Sequence, residues 1–138
     1  MMDTARRLLL IDDEPQMRSF LSRVAQGCGY EVRNTDDAAG FKEAYASWSP
    51  DIVILDLVMP QVDGIELLRF LAEQASKTRI LIISGFDPKV LDAAHRLGAA
   101  HGLSMIGAVS KPVRVAELRT ILEEANGRET GGREAGGR

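Results

Sequence analysis

The sequence predicts an α/β protein: an open, doubly wound sheet of five parallel strands with helices on both faces. Three observations lead there. Four short aliphatic runs, at 8–11, 52–55, 80–83 and 105–109, show no alternation with polar residues. Strands buried on both faces of a parallel sheet read this way. Segments with helical spacing lie between the runs. The resulting β-α unit repeats five times, and right-handed crossovers turn that order into a doubly wound sandwich.

The elements follow in order. The first strand, LLLI, stops at Asp12. Pro15 suits the first turn of a helix, and the acidic residue before it is a candidate cap. Met17, Phe20, Leu21, Val24 and Cys28 then share one face. Tyr30 to Thr35 alternates and reads as an edge strand. Ala38, Phe41, Tyr45 and Trp48 mark the second helix, which ends before Pro50. After the third strand, Asp63-Gly64 opens a helix carrying Ile65, Leu68, Leu71 and Ala72. Pro88 opens a fourth with Val90, Leu91, Ala94 and Leu97. Val115, Leu118, Ile121, Leu122 and Ala125 form the fifth. Residues 1–126 are read as the folded domain. Residues 127–138 hold five glycines and no large apolar side chain, and are read as a flexible tail.

Composition narrows the function classes. A chain of 138 residues is the size of one domain, and leaves no room for a separate effector domain. With 45% hydrophobic and 27% charged residues it is an ordinary globular chain. No aliphatic run is long enough to span a bilayer. The basic pair near the N-terminus is followed by an apolar run that ends at Asp12, which is no secretory signal. The single cysteine, Cys28, excludes an internal disulfide and suits a cytoplasmic location. A net charge of −3 gives no global basic footprint for nucleic acid.

In such a sheet, ligands bind outside the carboxyl ends of the strands. Asp12-Asp13-Glu14 follow the first strand, Asp56 the third, Ser84-Gly85 the fourth and Lys111-Pro112 the fifth. Clustered carboxylates repel one another and suit Mg²⁺ or Mn²⁺. A cation and a lysine ammonium together can neutralise a phosphoryl group. A hydroxyl can donate to its oxygens, and one carboxylate can be the nucleophile. Taken singly, each residue has a plainer reading. Asp12 and Asp13 suit helix capping, Asp56 a solvated loop, Ser84 an ordinary strand end and Lys111 a surface charge. Their convergence on one sheet edge favours a site.

Four segments, LLLIDDEP at 8–15, DIVILDLVMPQVDG at 51–64, LIISG at 81–85 and SKPV at 110–113, resemble the receiver domain of bacterial two-component response regulators. The likeness spans about residues 6–125, and each motif follows a predicted strand. It implies a flavodoxin-like (βα)5 receiver fold. Asp56 is then the phosphoacceptor, supplied by a sensor histidine kinase or a histidine phosphotransfer protein. Asp12, Asp13, Asp56 and the backbone carbonyl of Val58 are the implied Mg²⁺ ligands, with Asp13 the more direct of the acid pair. Ser84 and Lys111 would contact the phosphoryl group, and Lys111–Pro112 would be a cis peptide. Met59-Pro60 and Asp63-Gly64 would shape the turn after Asp56. The fourth helix, fifth strand and fifth helix would form the output face, for an unknown downstream protein or a homodimer. No membrane or direct nucleic-acid partner is expected.

The sequence also departs from that pattern. The aromatic residue that many receivers carry three positions before the lysine is Ala108 here. The stretch from Ser84 to Lys111 is longer than usual by about a helical turn. It reads as an extended fourth helix and a Gly102-Leu103 connection, a variant resembling receivers attached to EAL-type cyclic-di-GMP phosphodiesterases. Val58 and Phe86 stand where the family tunes water access, and their apolar character implies slow loss of phosphate. Glu14 either caps the first helix or touches the metal shell. His95 and His101 read as surface residues; Cys28, Tyr45 and Trp48 read as packing. Two rival functions remain at this point. One is a receiver-like binding module that no longer uses phosphate. The other is a Mg²⁺-dependent phosphatase with Asp56 as nucleophile, resembling the haloacid dehalogenase class, which wants a second Asp where Val58 stands. A flavin site is disfavoured because Asp12-Asp13-Glu14 would repel a phosphate.

Overall fold

A computed structural model describes residues 6–137 except 60, 61, 75 and 86, with the backbone alone at 58, 62 and 127–137. The elements run β1 (Arg6–Ile11), α1 (Pro15–Gly27), β2 (Tyr30–Thr35), α2 (Ala38–Trp48), β3 (Ile52–Asp56), β4 (Val58–Met59) and β5 (Val62–Asp63). They continue with α3 (Gly64–Glu73), β6 (Arg79–Ser84), α4 (Pro88–Ala100), β7 (Ser104–Ser110) and α5 (Val115–Gly137). Five of the strands form one parallel sheet in the order β2-β1-β3-β6-β7. The first crossover goes outward to β2, and the later ones go the other way, so helices cover both faces.

The unbroken aliphatic runs are explained by two cores. Leu9, Ile11, Val53, Leu55, Ile80 and Ile82 pack with residues of α2, α3 and α4. Their neighbours Leu8, Leu10, Ile52, Ile54, Leu81 and Ile83 pack with α1 and α5 on the other face. Side chains alternate across a strand, so a strand buried on both faces is apolar at every position. β2 lies at the edge and keeps the alternation the sequence shows, with Tyr30 buried and Glu31 exposed.

Aspartates start three helices. Asp37 accepts from the Gly40 N–H at 2.7 Å, Asp63 from Ile65 at 2.9 Å and Asp87 from Lys89 at 2.9 Å. α1 differs. Glu14 is its N-cap residue but makes no side-chain cap hydrogen bond, so the capping reading of this acid is corrected. Its carboxylate turns to Lys111 instead.

Three further features were not anticipated. The turn after Asp56 contains a two-residue antiparallel hairpin, β4–β5, too short to leave a period in the sequence. In β7, Met105 pairs with Ile80 and Gly107 with Leu81, so Ile106 is an extra, bulged residue. α5 is helical as far as Gly137, beyond the boundary at 126 read from composition. Gly64 is set by contact: a Cβ there would lie 2.5 Å from Leu57 Cα. α4 runs to Ala100, and Gly102 turns the chain after it with φ +83°.

The middle of α5 is tied to the N-terminal ends of the strands. Tyr30 donates its hydroxyl to the Leu122 carbonyl at 2.9 Å, and Arg79 donates to that of Ala125. Arg6 Nε donates to Asn126 Oδ1 at 2.9 Å. Among the described residues, no helix is long and apolar enough to cross a membrane.

Candidate functional site

The site is assembled where β1, β3, β6 and β7 end. Asp12 follows β1, Asp56 closes β3, Ser84 closes β6 and Lys111 follows β7. Parallel pairing places these ends on one edge. The Lys111 N–H donates to the Ser84 carbonyl at 2.8 Å, so β6 and β7 stay joined up to the site. Likewise the Leu57 N–H donates to Ile83 at 3.0 Å. The Asp12, Asp56 and Ser84 side chains are all buried.

Lys111 crosses the pocket. Its Nζ lies 3.0 Å from Asp56 Oδ2, 3.2 Å from Asp12 Oδ2 and 3.5 Å from Glu14 Oε1. The contact with Asp56 is a hydrogen bond. Asp12 Oδ1 accepts the Glu14 N–H at 2.9 Å. Asp12 Oδ2 is buried and without a hydrogen bond, because the nearby ammonium is not aligned to donate to it. Burial disfavours the charge on Lys111, but the hydrogen bond and charge of Asp56, with the charge of Asp12, outweigh it, and the pKa is raised. Lys111 therefore stays an ammonium.

Asp12, Asp13 and Asp56 can each direct an oxygen into one space, with all three atoms within 4.8 Å of one another. This all-carboxylate donor set, with one buried oxygen lacking a hydrogen bond, fits a hard divalent cation such as Mg²⁺ or Mn²⁺. A soft metal would favour His or Cys. Glu14 is not one of the three. Arg18, which the sequence reading did not single out, donates from Nη1 to the Asp12 carbonyl at 2.7 Å and steadies the loop. Nothing in its sequence context distinguishes it, since a basic residue one turn into a surface helix is ordinary.

The remaining predicted positions are distributed around this centre. Lys111–Pro112 is cis. Val58 lies in β4 opposite Asp63, its side chain outside the description. Phe86 lies outside the described residues, as does Pro60. Ala108 is exposed on β7 and borders a cleft with Ser110, Pro112 and Arg114. His95 is half-buried on α4, while His101 is exposed at its end. Neither adjoins the carboxylates in the described cluster. Cys28 ends α1, half-buried, with burial pushing its thiol pKa up. Trp48 and Tyr45 pack in the α2 layer.

Comparison with known proteins agrees with this geometry. The family model for the response regulator receiver domain matches residues 8–123. The transcriptional regulatory protein FixJ of Bradyrhizobium diazoefficiens is 34% identical over 125 residues, covering 90% of this chain and 58% of FixJ. The response regulator receiver protein CpdR of Brucella abortus is 36% identical over 87 residues, 63% of this chain and 72% of CpdR. A response regulator structure from Colwellia psychrerythraea superposes with a TM-score of 0.74 at 30% identity, covering 91% of this chain and 99% of that one. The chain thus spans less than two thirds of FixJ, and only 21% of one longer regulator it matches. With the acid cluster, the cross-site lysine and the strand order all in agreement, the chain belongs to the response regulator receiver domain family.

Proposed function

We propose that this receiver is switched by phosphorylation of Asp56, and that the change is read out at the face formed by α4, β7 and α5. One observation carries the assignment: Asp56 is buried at a strand end, with Lys111 Nζ 3.0 Å from its carboxylate and Asp12 and Asp13 beside it. The donor is the phosphohistidine of a sensor kinase or phosphotransfer protein. A carboxylate oxygen of Asp56 attacks phosphorus, the bond from phosphorus to the histidine nitrogen breaks, and its electron pair stays on the imidazole. The Lys111 ammonium then pairs with a phosphoryl oxygen, and the Ser84 hydroxyl donates to another. Asp12, Asp13 and Asp56, with the Val58 carbonyl, would hold Mg²⁺ or Mn²⁺. When bound, that cation offsets the charge on the phosphoryl oxygens.

The transfer is stoichiometric, and the protein acts by changing the population of two conformations rather than by turnover. The downstream protein, or a second copy, meets the output face in the cytoplasm. The extended α4 and its connection to β7 also support the likeness to EAL-attached receivers. Intact-protein mass spectrometry after incubation with acetyl phosphate and Mg²⁺ tests the chemistry. One phosphoryl group should add to the wild type, and none to Asp56→Asn or to wild type in EDTA. An adduct that persists in Asp56→Asn would overturn the assignment.

A further inference from the structure

We infer that Glu14 is a positioning residue for Lys111, holding its ammonium at the site once a divalent cation has taken Asp12 and Asp56. This rests on the proposed metal-binding role of Asp12, Asp13 and Asp56. Two independent observations point to it. First, Glu14 occupies the N-cap position of α1, so its carboxylate stands at the loop that carries Asp12 and Asp13. It makes no side-chain cap hydrogen bond there. Its Oε1 instead faces Lys111 Nζ, 97 positions along the chain, at 3.5 Å. Second, Lys111 is the cation shared by Asp12 and Asp56, two of the three carboxylates grouped for a metal. The Glu14 carboxylate is the third ion pair of the same ammonium and lies outside that group.

The consequence is an exchange of partners. A dication and an ammonium repel, and both draw on the Asp12 and Asp56 carboxylates. A bound dication would weaken the hold of Asp12 and Asp56 on the ammonium. Lys111 is mostly enclosed, its side chain 17% exposed, whereas that of Glu14 is 62% exposed. The lysine therefore tips outward to the acid at the rim and remains beside the phosphoryl position. Because the Glu14 N–H is bonded to Asp12 Oδ1, the rim acid is fixed relative to the metal ligands. Without Glu14 the displaced ammonium has lost its remaining ion pair, and the cation competes with a lysine that is held more firmly in place.

The test is a double-mutant cycle on Mg²⁺ affinity, read by titration calorimetry on the full chain. Glu14→Gln should weaken Mg²⁺ binding by about two- to fivefold, the range of an exposed ion pair. Lys111→Met should tighten it by removing the competitor. In the Lys111→Met background, Glu14→Gln should change the affinity by well under twofold. Lys111→Gln serves the same purpose if the methionine variant does not fold. Equal weakening in both backgrounds would mean that Glu14 acts directly on the metal, and would overturn the inference. No effect of Glu14→Gln in either background would overturn it as well. A wild-type chain that binds no Mg²⁺ would instead defeat the metal-site reading beneath it.

Discussion

Tyr30 shows how much one hydroxyl can report. It is buried, donates to the Leu122 carbonyl and has its pKa pushed up to about 12, chiefly by burial. An unfolded chain releases that proton near 10, the ordinary value. The folded state thus holds the proton over a window in which the unfolded state has lost it. Its contribution to stability is whole below pH 10 and is lost as the pH rises to about 12. Absorbance titration of tyrosinate should show a late-ionising phenol that disappears in Tyr30→Phe. That variant should lose about 1 kcal/mol at neutral pH, the usual worth of one hydrogen bond. Gly64 gives the second prediction at this scale. A methyl there would meet Leu57 Cα at 2.5 Å and the Asp56 carbonyl at 2.9 Å. Both are backbone and cannot rotate away. Gly64→Ala should cost about 1–3 kcal/mol in urea denaturation, as overpacking does, because α3 must back away from the end of β3.

At the scale of elements, the bulge in β7 is the informative departure from regularity. Pairing resumes beyond it, with Ala108 opposite Ile82 and Ser110 opposite Ser84. The extra residue is absorbed locally, and Lys111 still arrives at the site. Excision of Ile106 should therefore leave a folded chain, at a cost of about 1–2 kcal/mol for its lost packing. Excision of Ile82 from β6 has no such slack. It would turn the residues beyond it to the opposite face, and the chain should not fold. Circular dichroism during urea denaturation checks both. The contrast also marks what the sequence carries. The sheet strands were legible because a strand buried on both faces has no polar positions, as 8–11, 52–55 and 80–83 show. The β4–β5 hairpin was not, because two residues cannot display a period. Nor was the bulge: the surplus length around 101–107 was visible, but pairing across the strands decides which residue is skipped. Asp12, Asp13, Asp56, Ser84 and Lys111 were legible as one cluster because each lies within two residues of the end of an aliphatic run. The orientation of Glu14 was not, since an acid before Pro15 reads equally as a cap, and the choice depends on a lysine 97 positions away.

For the whole molecule, the site places function in opposition to stability. Three carboxylates have oxygens within 4.8 Å of one another, and the Lys111 ammonium pairs with two of them, Asp12 and Asp56, in a chain already at net −3. Folding brings these charges together, and the unfolded chain keeps them apart, so without a cation the native state carries the repulsion. Asp13 is the informative member, since neither Asp12 nor Asp56 can be changed without breaking its close contact with Lys111. Asp13→Asn should raise the stability of the metal-free protein by about 1 kcal/mol, the size of one unit-charge repulsion near 4 Å in a water-like medium. In the wild type, Mg²⁺ held at the proposed site by the folded state alone should reverse the deficit, adding about 1.4 kcal/mol at ten times its Kd. Asp13→Asn should show little of that gain. The two curves of stability against Mg²⁺ should therefore cross, with the variant more stable in EDTA and the wild type more stable at high Mg²⁺. Urea denaturation along a Mg²⁺ series measures the crossing directly. If Asp13→Asn is instead the less stable protein at every concentration, Asp13 holds the β1–α1 loop together, and the opposition between charge and fold does not exist at this position.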